Sequence, residues 1–144
     1  MMASATNSRF SKYITVLSLI IVLGVPVVHK LLAPIPPQWF ISKYTGTAID
    51  IVPFGIALSF GIIIILEVIG PLLFCIGLIK KEISTGQYKY ITWGFKTTQI
   101  LFLILTFGSF LVQDYDNGFK DFLYLFAVTV LELFFFERTE KRGS

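Results

Sequence analysis

The run from Ile51 to Ile79 (IVPFGIALSFGIIIILEVIGPLLFCIGLI) contains a single acidic or basic side chain, Glu67. It exceeds the ~20 apolar residues that suffice to cross a hydrocarbon core, so tilt or an exposed first turn must absorb the excess. A soluble domain of 144 residues has too little interior to hide such a segment. Three more stretches share its character: Tyr13 to Leu32, Ile91 to Val112 and Phe119 to Phe136. Backbone polar groups in lipid must be satisfied within the segment, which predicts helices. The expectation is an all-α, polytopic membrane protein forming one domain over residues 1–144, with spans at about 13–32, 51–79, 91–112 and 119–136. Short connections make neighbouring spans antiparallel, giving an up-down four-transmembrane-helix bundle.

The connections supply the detail. Leu32 to Asp50 carries three prolines and Gly46. Within it, Gln38 to Tyr44 is expected to make one short interfacial turn, anchored by Trp39, Phe40 and Tyr44 at headgroup level. Asp50 is the expected N-cap of the second span. Lys30 is expected to snorkel outward from the end of the first span. That span reads as a retained helix, because Ala33 runs directly into Pro34 without a small-x-small cleavage site.

The net charge of +3 does not point to nucleic acid, since the basic residues lie in short segments between apolar runs. Their distribution sets orientation instead. Arg9, Lys12, Lys80, Lys81, Lys89, Arg138, Lys141 and Arg142 fall on the side of the N-terminus, against Lys30, Lys43 and Lys120 opposite. This predicts cytoplasmic N- and C-termini. The expected location is a bacterial inner membrane.

Ionisable groups inside the spans demand explanation, because each costs at least ~2.5 kcal/mol in hydrocarbon. Glu67 lies ~18 Å along the helix from Ile79, near the midplane, where burial favours the neutral carboxyl. Gly70, Phe74 and Gly77 share its face, suggesting a packed or cavity-lining stripe. The functional reading is a ligand, quinone or proton site; the structural alternative is a protonated carboxyl bonded to a neighbouring helix. Lys96 and Glu132 sit shallower, at matching depth, where they pair or snorkel. Lys96, Gln99, Thr106 and Gln113 make a polar stripe, and Asp121, Val128 and Glu132 share a face expected to turn inward. The candidate ligand-binding set is therefore Glu67, Gly70, Phe74, Lys96, Gln99 and Glu132. His29, Lys30 and Asp50 are placed together as an outer polar cluster. One histidine and one cysteine, Cys75, exclude an intrachain disulfide and argue against a metal centre. No nucleotide, hydrolase or cofactor motif occurs, and whether the chain is an enzyme stays open.

The arrangement resembles the DoxX-like membrane proteins. The resemblance lies in four short spans, a lysine closing the first, the outer loop PPQWFISKYTGT, and the central glutamate of LEVIGPLLFCIGLI. It implies an accessory subunit of a membrane redox complex, with a soluble or membrane redox enzyme as partner and a quinone or lipid site at Glu67. On this chain it touches Lys30, Glu67, Trp39 and Phe40. The paired cysteines of a related redox branch are not matched. Two other classes stand beside it: a proton-coupled carrier or small-molecule transporter built around Glu67, and an emopamil-binding-type lipid enzyme.

Overall fold

The computed structural model describes residues 2–32 and 35–140, and the side chains of 9–32 and 35–137. Ala33, Pro34, Lys141 and Arg142, on which the cleavage-site and tail-charge expectations partly rest, lie outside the described residues. Among the described residues six helices follow in order: α1 (Met2–Leu31), α2 (Gln38–Tyr44), α3 (Gly55–Ile79), α4 (Glu82–Thr85), α5 (Lys89–Leu111) and α6 (Tyr115–Glu140). No strand occurs among the described residues. The expected four helices thus become six. The additions are the interfacial turn, now α2 with the predicted bounds, and the unforeseen α4.

Among the described residues, three segments are long and apolar enough to cross a membrane: Arg9–Leu31, Gly55–Ile79 and Lys89–Leu111. The fourth expected span is not among them, because Phe119–Phe136 carries Lys120, Asp121 and Glu132. Large apolar side chains nevertheless point outward from all four long helices, among them Ile21, Ile65, Leu103, Phe107, Phe126 and Phe134. That surface suits lipid contact.

The second span starts later than Ile51. Asp50 does not cap it; its carboxylate accepts the Gly46 N–H at 2.9 Å and closes the preceding loop. Val52 precedes Pro53, which disfavours helical backbone there. The helix begins at Gly55 behind Phe54, whose φ is 60°. Only glycine fits, since a Cβ at position 55 would stand 2.1 Å from the Ile49 carbonyl oxygen.

α3 is central, packed against α1 and α5, and α5 packs on α6. Its buried face reads Phe60, Ile63, Glu67, Gly70, Phe74 and Gly77, at alternating spacings of three and four. That spacing keeps one narrow stripe against a neighbour. Phe74 lies on Gly94 of α5, where a Cβ would come within 2.8 Å of the ring. It meets Phe95 edge-on at 5.3 Å. At the other end, Phe40 of α2 sits edge-on to Phe60 at 4.8 Å.

Candidate functional site

Side chains on a helix tilt toward its N-terminus. For Lys30, next to the last residue of α1, that direction is back into the bundle. Its ammonium makes an ion pair with Oε1 of Glu67. This corrects one expectation, since Lys30 does not snorkel outward. Glu67 is bonded to a neighbouring helix, as in the structural alternative, but through an ion pair. The proposed outer cluster also dissolves, because Asp50 is held by Gly46 and His29 is exposed.

Glu67 is only 6% exposed, and its second oxygen, Oε2, is buried without a hydrogen-bond donor. An unmet buried acceptor costs ~1–3 kcal/mol, and more when charged. Phe60 and Phe74, two turns to either side, close the stripe above and below. Alongside, α1 and α5 approach at Gly70. A Cβ there would meet Thr98 Oγ1 at 3.3 Å and Leu23 Cδ1 at 3.7 Å. The Thr98 hydroxyl donates to the Gly94 carbonyl at 2.8 Å, leaving Glu67 unserved from that side. Gly70 and Phe74 are buried on the same face of α3 as Glu67, Gly70 beside Thr98 and Leu23 and Phe74 on Gly94.

Toward the α2 end the polar groups continue. Ser109 donates to Asp121 at 3.4 Å, and Asp121 lies within electrostatic range of Lys43, Asp114 and Lys30. Lys43 of α2 donates to Asp114 at 2.6 Å. That bond, followed by one from Asn117, holds the Asp114 carboxyl down at about 2. Burial, then the nearby Asp121 and Asp114 carboxylates, push the Tyr44 phenol above its ordinary value.

The shallow residues form a separate site. Glu132 accepts from the Gln99 amide at 2.7 Å, and Thr129 accepts from the same nitrogen at 3.4 Å. Lys96 is exposed, and no ion pair joins it to Glu132 among the described residues. The expected Lys96–Glu132 pair is therefore replaced by Gln99–Glu132. Lys96 precedes Gln99 by three residues, or about 60° around the helix, which turns it outward. The polar stripe also splits: Thr106 is buried and bonds the Phe102 carbonyl, while Gln113 is exposed beyond the helix end. Asp121, Val128 and Glu132 do turn toward α5, with Val128 buried.

Two buried charges escaped the sequence reading. Glu82 of α4 accepts from the N–H groups of Tyr90 at 2.9 Å and Ile91 at 3.0 Å, so it caps α5. A carboxylate shortly before an apolar run was its only signal. Lys12 is covered by the rings of Tyr88 and Phe135, at 4.7 and 4.8 Å. Nothing near Lys12 in the chain announces those rings.

Among the described residues, no group of three or more His, Cys, Asp or Glu side chains is placed to hold a metal ion. The Lys30–Glu67 centre offers an ammonium donor beside a carboxylate acceptor with one free oxygen. It can receive a hydroxyl or a proton. No family model matches the chain, nor do curated proteins or solved structures.

Proposed function

We propose that the chain is a four-span integral membrane protein of a bacterial inner membrane, both ends cytoplasmic, serving as a DoxX-like accessory subunit of a redox complex. In this reading the Lys30–Glu67 centre holds the hydroxyl headgroup of a quinol-class molecule, and electron transfer belongs to the partner enzyme. The observation that carries it is the buried Glu67 Oε2 without a donor. A quinol hydroxyl supplies that donor, while the Lys30 ammonium occupies the other carboxylate oxygen. Binding of a short-tailed benzoquinol to protein in nanodiscs tests it. Glu67→Gln preserves shape but removes the charged acceptor, and should weaken binding at least about tenfold, the worth of a charge-assisted hydrogen bond. Equal binding by a folded variant rejects the site.

A second reading, a proton-coupled carrier, draws on a different observation. Lys30 is partly exposed and within electrostatic range of Asp121, a second carboxyl on the α2 side of the centre. Glu67-dependent proton uptake into proteoliposomes holding this chain alone favours that reading over the first.

A further inference from the structure

A groove of about 390 Å³ runs between α5 and α6, lined by Lys96, Gln99, Ile100, Leu103, Leu125 and Thr129. It lies outside the Lys30–Glu67 centre. Its walls are aliphatic at one end and polar at the other, with an exposed cation at the polar end. Lys96 has neither an ion pair nor a side-chain hydrogen bond among the described residues, although it stands within an apolar span. Trp93, one turn earlier and exposed on the same helix, marks the headgroup level of the aromatic belt. Lys96 starts one turn deeper, and its side chain tilts back toward the N-terminus of α5, so its ammonium returns to the level of Trp93.

We propose that this groove binds an anionic phospholipid from the leaflet at the Lys89 end, with its phosphate on Lys96 and an acyl chain along Ile100, Leu103 and Leu125. Charge decides the occupant. Glu132 is not in the groove wall, and its carboxylate is engaged by Gln99. Lys80 and Lys89 add exposed positive charge around Tyr90 at the same end. The site thus presents a cation at headgroup depth above an aliphatic channel, which matches a phosphate joined to an acyl chain. The inference rests on reading α5 as a membrane span.

Protein recovered from the membrane fraction, held in mild detergent with equal amounts of phosphatidylglycerol and phosphatidylcholine, is examined by native mass spectrometry. Wild type should retain phosphatidylglycerol preferentially. Lys96→Gln should lower that preference about fivefold, the worth of one lysine near a charged surface, and Lys96→Arg should keep it. Leu103→Trp, which obstructs the channel without touching a charge, should reduce retention of the lipid. An unchanged preference in Lys96→Gln overturns the proposal. So does an equal loss in Lys89→Gln, which means diffuse attraction rather than a site. A chain absent from the membrane fraction would instead remove the span reading itself, and this site with it.

Discussion

Glu67 stands out in the chain because one charge interrupts a long aliphatic run, and lipid makes any such charge expensive. Its partner does not stand out. Lys30 looks like an ordinary flank to an apolar segment, and only the inward tilt of its side chain and the packing of α1 on α3 bring the two together. A buried pair loses most when one member is removed, because the other charge stays desolvated. Lys30→Met and Glu67→Leu should each lower stability in detergent by about 3–5 kcal/mol, while the double variant recovers most of the loss. Chemical denaturation of the four proteins measures the coupling. Additive losses would mean the pair does not act as a unit.

Among the elements, α2 was legible from aromatic residues between proline and glycine breaks. What it docks on was not, since Phe60 and Asp114 are distant in the chain. The Lys43–Asp114 bond tethers it to the start of α6. Asp114 titrates near 2 in the folded chain against an ordinary 3.8, so it binds its proton more weakly when folded. Its contribution is therefore complete above 3.8 and fades as pH falls through about 2. Asp114→Asn should lower the thermal midpoint in detergent at about pH 6, and the difference from wild type should shrink toward zero near pH 2. A gap that persists unchanged in acid would place the tether elsewhere. The start of α3 belongs to the same scale. Asp50 had the chemistry of a cap, but Pro53 and the crowding at Gly55 moved the helix onset beyond it.

For the whole molecule, the charge bias predicts that the α3–α5 connection faces the cytoplasm and the α5–α6 connection faces outward. In a Cys75→Ser background, cysteine at Lys81 should be shielded from an impermeant thiol reagent in intact cells, and cysteine at Asp116 should be labelled. Labelling at Lys81 overturns the orientation. The fourth helix tests the boundary of the hydropathy argument. In α6 the three charges of Phe119–Phe136 keep that stretch from counting as apolar, yet Asp121 and Glu132 are both engaged by α5.

By itself the sequence determined the helical class, the places of the long helices, except that α1 begins at Met2 well before the expected Tyr13, and Glu67 as the group needing explanation. These follow from hydropathy and from the cost of charge in lipid, both of which act along one segment at a time. Only the tertiary structure decided which groups meet. It paired Glu67 with Lys30, gave Glu132 to Gln99 instead of Lys96, and buried Glu82 and Lys12. Each of these depends on how far one helix slides and rotates against another. That quantity is set by close contacts such as Phe74 on Gly94, and such contacts leave no local trace in the chain.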